Sequence, residues 1–553
     1  MAQNVETWGP GLHEAAPDGF RGAFRTDLLA RALYAEGAGI ARCMPSAVAA
    51  PVDTEDAALL MRWAKSAGTA LIPRGSGSGM AAGAVGAHVV VDLSRLLALS
   101  PVDVSARRVV AGVGVTRGAV DAAARAVGLR FPVDPSSSAF CTVGGMTATN
   151  AAGARSLRFG TMRPWVRGIQ AVFDDGSVAW VRRGERWPTE IPAVARLERA
   201  LREIEGGVPR ASLHHAGVRK ESSGYGVAPA LETGDLVDLL VGSEGTLALF
   251  TAVELDLIPV AGATATLLVT FASLESASAC AVAAGAAGVS ACELLDRTFL
   301  DVAERGGDTG ISKNAEAVLL IEVEGESTED CASYVANMVR TCRSYGANDV
   351  QSADSPAAEK ELWTLRHAAS PILSQLAPRL RSMQFIEDGC VPPDRFPEYV
   401  RGVRNALRRH ETLGVIFGHA GDAHAHVNPL VDTMAHNWRH TVSLLLHDVC
   451  DLTARLGGTL AGEHGDGRLR APLLDSVWGL EARAAFAQVK AAGDPSGVLN
   501  PGCKIAGEDA EPFGMLRHDP EALTLPAQAE ALLREIERTR GWARFRLDLL
   551  DAG

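Results

Sequence analysis

The chain has 553 residues, of which 47% are hydrophobic and 22% charged, and its formal net charge is −13. This composition is typical of a folded globular protein and excludes a largely disordered one. The negative charge argues against a nucleic-acid binder and leaves no polybasic patch for a membrane surface. At about 100–200 residues per domain, the length predicts two to four domains.

Cysteine use favours a reducing compartment. The nine cysteines are an odd number without a CxxC pair, which argues against a disulfide framework, a zinc ribbon or an iron–sulfur site. The N-terminal residues lack a basic segment followed by an apolar run, so no signal peptide is predicted. The uncharged run 276–292 is too short and too weakly apolar for a bilayer and predicts a packed helix. We expect a cytoplasmic protein, with attachment to the inner face of the membrane as an alternative.

The first predicted elements alternate between helix and strand. A helix is predicted at 26–36, a second one is capped by Thr54 and ends at Gly68, and a third begins after Thr116 and ends at Gly128. The strands predicted in this part cover residues 70–72, 89–93 and 109–113. This pattern indicates an α/β arrangement.

The middle of the chain changes character. Residues 131–165 show no helix or strand signal, and an irregular stretch of this length inside a folded chain usually has a function. A hairpin follows, with strands at 169–173 and 178–181 around an Asp-Asp-Gly turn. A strand at 253–258 ends at Pro259, where we place a domain boundary.

The second half alternates helical patterns with strands, which indicates an α+β domain. The clearest strands cover 264–270 and 318–324, and the tail carries one amphipathic helix at 527–539.

Three glycine-rich loops are candidate ligand sites. The first, PRGSGSG at 73–79, follows a strand and can turn successive N–H groups toward a phosphate. It matches neither a P-loop nor a completed GxGxxG, and a flexible turn is the alternative. The second loop spans 133–153 and the third, VGSEGTL, spans 241–247.

Together these loops resemble the FAD-binding domain of the vanillyl-alcohol oxidase / p-cresol methylhydroxylase superfamily. The resemblance implies that the first loop wraps the FAD pyrophosphate, the second lines the isoalloxazine and ribityl portion, and the third contacts the adenine half. Covalent members carry a histidine in the first loop, where this chain has Ser and Gly, so noncovalent FAD is implied. The implied cofactor residues are Arg74, Gly75, Ser76, Gly77, Ser78, Gly79, Asp134, Ser136, Thr142, Gly144, Gly145, Gly153, Glu244 and Asn500.

A cluster of histidines and carboxylates is the strongest candidate for chemistry. The segments FGHAGDAHAHVN at 417–428 and GEHGDG at 462–467 combine imidazole and carboxylate groups, which suit zinc or another divalent metal. His424 and His426 would share one face of a strand. Hydrogen-bonded structural histidines are the alternative.

These segments resemble the metal-dependent flavoproteins that oxidise D-2-hydroxy acids: D-lactate, glycolate and D-2-hydroxyglutarate dehydrogenases. The resemblance makes His464 the base, Asn428 a substrate contact and His424 a support for the ligands. The implied metal ligands are His419, His426 and Glu463.

The segment LWTLRH resembles the family's Trp-x-x-Arg helix and makes Arg366 the anchor of the substrate carboxylate, with Ser370 one turn further on. A metal would lower the pKa of the substrate hydroxyl, His464 would take its proton and the hydride would pass to flavin N5. The segment LNPGCK resembles the family's LNPGK ending with one residue inserted, which implies that Asn500 lies near the flavin ring.

The segment FIEDGCVPP at 385–393 resembles the subgroup that usually carries an additional iron–sulfur domain, but we expect that domain to be absent here, because no cysteine follows Cys503. The electron acceptor is therefore open among a quinone, an electron-transfer flavoprotein, a cytochrome and an iron–sulfur partner, and a homodimer is also open. In some 2-hydroxyglutarate enzymes of the family, a lysine near this segment helps to bind the second substrate carboxylate. Here Ile386 or Glu387 stands at that place, which disfavours a dicarboxylic substrate. The alternatives are an ether-lipid (alkylglycerone-phosphate) synthase-like enzyme, the flavin subunit of a larger complex, and a metal-dependent hydrolase.

The predicted fold is α+β: a two-subdomain FAD-binding domain of the p-cresol methylhydroxylase type and an α+β substrate (cap) domain with an antiparallel sheet. The predicted divisions are an extension at 1–44, the FAD-binding domain at 45–259, the cap domain with the metal site at 260–465, a segment returning to the flavin at 466–505, and a helical tail at 506–553.

Overall fold

The computed structural model describes residues 16–307, 309–353, 355–373 and 379–551. Two four-stranded sheets form the first half. One has the order Ala23–Arg25, Ala47–Ala50, Val89–Asp92, Leu71–Arg74, with parallel pairing among the last three strands. The other is antiparallel, in the order Arg108–Gly112, Leu249–Asp256, Val166–Val172, Val178–Arg182.

Helices cover these sheets, and a short ladder pairs Leu129–Arg130 with Ile258–Pro259. Among the described residues, the α-helices of this half are Leu28–Leu33, Thr54–Ala67, Arg117–Arg125, Val143–Thr149, Ser156–Phe159, Pro192–Gly207, Val227–Thr233 and Leu236–Leu240.

The second half is built on one antiparallel sheet, as predicted. Its strand order is Ala347–Ser352, Ala263–Phe271, Ala317–Gly325, Ala291–Asp296, Leu413–Gly418, His424–Asp432, Leu380–Ser382, with Gly389–Cys390 paired to His424–Asp432. The helices around it are Leu274–Ala286, Arg297–Glu304, Thr328–Ser344, Pro356–Leu373, Phe396–Arg409 and Trp438–Arg455.

The C-terminal part returns to the first half. Its helices are Gly467–Arg470, Leu474–Val477, Leu480–Gly493, Ala527–Thr539 and Asp548–Asp551. Phe486, Val489 and Leu499 belong to the same hydrophobic core as the antiparallel four-stranded sheet. In the described part of the chain, no helix is long and apolar enough to cross a membrane.

Several predicted elements need correction. The second helix is capped by Asp53, whose carboxylate accepts from the Asp56 N–H, and not by Thr54. The third helix ends at Arg125, before Gly128. The helix expected at 26–36 is shorter, and the strand expected at 253–258 is Leu249–Asp256.

The stretch 131–165 is not wholly irregular, because it contains the helices Val143–Thr149 and Ser156–Phe159. The hydroxyl of Thr142 caps the first of them by accepting from the Gly145 N–H. Its sequence, VGGMTAT, has two glycines and two threonines. These residues have low helix propensity, so the sequence does not predict a helix here.

Candidate active site

Three histidines lie on one hairpin of the antiparallel sheet. His419 follows the strand Leu413–Gly418, and His424 and His426 begin the return strand His424–Asp432. Side chains two residues apart in a strand point to the same side, and the His424 and His426 ring centroids lie 4.6 Å apart. The strand expected at this position is confirmed.

The Nε2 atoms of three histidines surround one carboxylate oxygen, Glu463 Oε1. The distances from this oxygen are 3.2 Å to His419, 3.5 Å to His426 and 3.7 Å to His464. His464 is 27% exposed, whereas the other three side chains are buried. The structure therefore brings together all three predicted metal ligands and the predicted base.

The opposite nitrogens of these rings are held by hydrogen-bond acceptors. His419 Nδ1 lies 2.5 Å from Glu293 Oε1, His426 Nδ1 donates to the Glu387 carbonyl at 2.8 Å, and His464 Nδ1 lies 3.1 Å from Glu387 Oε1. Acceptors at Nδ1 can hold a proton there, so that in the neutral form of each ring the Nε2 lone pair faces inward, as in metal-binding histidines. The donor set of two imidazoles and one carboxylate fits zinc.

Sequence reasoning missed three charged residues that hold this cluster. Lys220 is 1% exposed and its Nζ lies 2.9 Å from Glu463 Oε2. Asp388 accepts from the backbone N–H of His464 at 2.9 Å and from that of Glu463 at 3.3 Å. Glu293 lies in the fully buried strand Ala291–Asp296, between apolar neighbours. A charged residue inside such an apolar segment is the signal that the sequence offered.

Charge and burial oppose each other in this cluster. Burial disfavours the ionised form of Glu463, but Lys220 and His419 hold the pKa of its carboxyl well below the usual value. Burial would lower the pKa of His464, but the carboxylates of Asp388 and Glu387 raise it to about 9. In the absence of a metal, His464 is therefore protonated at neutral pH.

His424 supports the cluster from behind. It is fully buried, and its Nε2 lies 2.9 Å from Asp388 Oδ1. Burial, with Lys220 nearby, lowers the pKa of its imidazole to about 3, so this ring is neutral. Its position fits the supporting place expected for it.

The predicted carboxylate anchor, Arg366, reaches the same cluster from the helix Pro356–Leu373. Its Nε pairs with Glu293, and its guanidinium lies over the Phe417 ring, 4.9 Å from the centroid. Glu293 thus links the arginine to His419. Ser370 lies on the same helix, outside the residues whose side chains the structure describes.

One cavity of about 1630 Å³ joins this cluster to the glycine loops. His419, His426, His464, Arg366 and Asn428 all line it. Its lining has twelve arginines against six acidic side chains, although the chain as a whole is acidic. The cavity is larger than the roughly 300–1000 Å³ of ordinary ligand pockets, and the excess of arginines in its lining favours an anionic ligand.

Most of the predicted cofactor residues line this cavity. They are Arg74, Gly75, Ser76, Gly77, Ser78, Gly79, Asp134, Ser136, Thr142, Gly144, Gly145 and Glu244. The first two loops meet at Gly75, where a Cβ would lie 2.2 Å from Thr142 Oγ1. The third loop meets the GEHGDG segment, because Glu244 accepts from the backbone N–H groups of Asp466 and Gly467 at 2.8 and 2.9 Å.

Three predicted cofactor residues contact the protein backbone in the cavity walls. The Arg74 guanidinium donates to backbone carbonyls, among them that of Glu36 at 2.7 Å. Gly153 packs on backbone, where a Cβ would lie 2.3 Å from the Asp134 carbonyl oxygen. The amide of Asn500 donates to the Glu244 carbonyl at 2.7 Å, and neither Gly153 nor Asn500 lines the cavity.

Comparison with known proteins agrees with this geometry. Residues 45–182 match the family described as FAD binding domain, and residues 261–503 match FAD linked oxidases, C-terminal domain. A D-lactate dehydrogenase of Archaeoglobus fulgidus is 30% identical over 461 residues, which cover 82% of this chain and 90% of that protein. The chain belongs to the FAD-linked D-2-hydroxyacid dehydrogenase family. This dehydrogenase is therefore an oxidoreductase that uses FAD.

One further relative and one solved structure are also similar to this FAD-linked dehydrogenase. A D-2-hydroxyglutarate dehydrogenase of Pantoea ananatis is 27% identical over 551 residues, which cover 92% of this chain but 52% of that protein. A solved alkyldihydroxyacetonephosphate synthase superposes with a TM-score of 0.59 at 15% identity, covering 86% of this chain and 82% of the other. At that identity the likeness shows the fold alone, and the predicted fold class is confirmed.

Proposed function

We propose that the protein oxidises a D-2-hydroxy acid to the 2-oxo acid, using noncovalent FAD and a divalent cation, zinc by its donor set. The observation that carries this proposal is the convergence of three Nε2 atoms on Glu463 Oε1 in the cavity that the glycine loops also line. His419, His426 and Glu463 would hold the cation, which would polarise the substrate hydroxyl.

The protein's own side chains supply the remaining functions. His464 accepts the hydroxyl proton at Nε2, while Glu387 holds its Nδ1. A cation held by Glu463 would oppose protonation of His464 and would lower the pKa of its imidazole from the metal-free value. Arg366 binds the substrate carboxylate from the cavity wall, which Asn428 also lines. Bound FAD supplies the acceptor for the hydride that leaves Cα.

The wall beside the base supports a substrate with a single carboxylate. Glu387 lines the cavity; its Oε1 pairs with Arg470, and its Oε2 has no hydrogen-bond partner in the described part of the chain. A second substrate carboxylate next to this oxygen would be repelled. We therefore propose a short acid of the D-lactate or glycolate kind rather than a dicarboxylic acid.

The electrons must then leave for a separate acceptor. All nine cysteines are free thiols, and no group of three metal-binding side chains among the described residues includes a cysteine. We propose a partner that is not oxygen: a quinone, an electron-transfer flavoprotein, a cytochrome or an iron–sulfur protein. Free thiols also support a reducing, cytoplasmic setting.

Anaerobic reduction of the bound flavin tests the proposed reaction. The purified protein is mixed with D- and L-lactate, glycolate and D- and L-2-hydroxyglutarate, with and without a chelator. We expect the flavin absorbance to bleach with glycolate or the D acids, fastest for a monocarboxylate, and the chelator to abolish bleaching. Bleaching by the L acids alone, or full bleaching after complete metal removal, would contradict the proposal.

Gly79→Ala tests whether the cofactor covers the first loop. A Cβ at Gly79 would meet no protein atom within 4 Å, so the apoprotein should melt at the wild-type temperature. A cofactor lying on the loop would have to shift, and overpacking of this kind typically costs about 1–3 kcal/mol, a loss of roughly 5–150-fold in affinity. Fluorescence titration of apoprotein with FAD measures the change. Gly206→Ala, equally open but on a remote helix, is the matched control and should bind as the wild type.

A further inference from the structure

The C-terminal tail, residues 506–551, is built into the wall behind the first glycine loop. The family match ends at residue 503, so this tail lies beyond it. Its helix Ala527–Thr539 packs on Leu28–Leu33 in a shared hydrophobic core. Beyond this helix, Trp542 lines the cavity and Arg546 is 1% exposed.

Arg546 contacts the loop directly. Its Nη1 donates to the Ser76 carbonyl at 3.1 Å, and its guanidinium lies 5.5 Å from the Trp542 ring centroid and 6.0 Å from that of Tyr34. Its Nε and Nη2 are buried without a hydrogen-bond partner in the described part of the chain. A buried cation with unused donors is costly unless an anion lies near it.

The charge behind the loop is unbalanced. Arg74, also 1% exposed, lies beside Arg546, and the two positive charges repel each other. Of the carboxylates that act on this pair, Asp92 accepts the Tyr34 hydroxyl at 2.7 Å. The other, Glu36, already pairs with Arg42, Arg517 and Arg534, and the last two also pair with Glu537.

The loop in front of these arginines carries no charged side chain, because residues 75–79 read Gly-Ser-Gly-Ser-Gly. A diphosphate bound by backbone N–H groups there would sit against the surplus positive charge. We propose that Arg546 is a positioning residue for the FAD diphosphate: it fixes the loop through Ser76 and offsets the phosphate charge from behind. This inference rests on the proposed placement of the diphosphate at the first loop.

The test uses the full-length protein stripped of FAD and titrated with FAD by flavin fluorescence. Arg546→Met removes the charged hydrogen bond to Ser76. We expect this loss to weaken FAD binding by about 10–100-fold. Arg546→Lys, which keeps the charge, should stay closer to the wild type, and Arg546→Gln, which keeps a donor alone, should fall between. Arg544→Met is the matched control on the same tail, since Arg544 is 52% exposed and pairs with the similarly exposed Glu535 at 3.5 Å.

A second readout separates cofactor positioning from folding. The melting temperature is measured with and without saturating FAD, and the proposal expects the increase caused by FAD to shrink in Arg546→Met. If Arg546→Met does not fold, the Lys and Gln variants decide by their order of affinity. If all Arg546 variants bind FAD with the affinity of the wild type, whether or not their melting temperatures are lower, the inference is overturned. Wild-type apoprotein that binds no FAD would instead contradict the proposed function.

Discussion

His464→Gln should slow reduction of the bound flavin by a D-2-hydroxy acid about 10²–10⁴-fold, the usual contribution of a general base. His464 is the exposed member of its cluster, and its ring stacks on that of His426 with centroids 5.3 Å apart. Because His419, His426 and Glu463 are unchanged, we expect the variant to keep its metal and its FAD. Anaerobic stopped-flow absorbance measures the rate of flavin bleaching.

His447→Gln is the matched control for this variant. His447 is an exposed histidine on the helix Trp438–Arg455, and its Nδ1 bonds to the Ser443 carbonyl of its own helix. It should bleach at the wild-type rate. A wild-type rate in His464→Gln with full metal and FAD content would show that the proton goes to another group. A rate lost together with the metal would show instead that His464 is a ligand.

The elements that could be predicted from sequence are those whose signals are local. The tail helix Ala527–Thr539 has the expected bounds because its apolar positions recur at helical spacing. The hairpin of Val166–Val172 and Val178–Arg182 follows from its Asp-Asp-Gly turn. The helix Val143–Thr149 was missed because its sequence disfavours helix and packing against the adjacent sheet decides its structure.

In the candidate active site, too, local signals could be predicted and contacts between distant parts of the chain could not. His419 and His426 lie within one motif, so their pairing is visible in the sequence. Their supports come from far along the chain: Glu293 is 126 residues from His419, and Lys220 is 243 residues from Glu463. No local pattern links residues so far apart, and only the packing of the two halves of the chain brings their charges together.

Glu463→Gln should remove metal binding and also weaken the fold. Lys220 is 1% exposed, with its Nζ 2.9 Å from Glu463 Oε2 and 4.0 Å from Asp422 Oδ2. Removing the nearer carboxylate leaves a buried ammonium poorly paired, which costs about 3–5 kcal/mol. Urea denaturation of the metal-free protein measures the free energy of unfolding, and elemental analysis measures the metal content.

The double variant Lys220→Met, Glu463→Gln separates the two effects. Replacing both members of a buried ion pair by uncharged groups of similar size is often close to neutral. We expect the double variant to recover most of the lost stability and still to bind no metal, because the coupling between neighbouring residues makes the two changes non-additive. Equal instability of the single and double variants would show that the unpaired lysine is not the cause. Metal bound at the wild-type level without the Glu463 carboxylate would show that the cation is held elsewhere, and the base and substrate roles built around it would have to be reassigned.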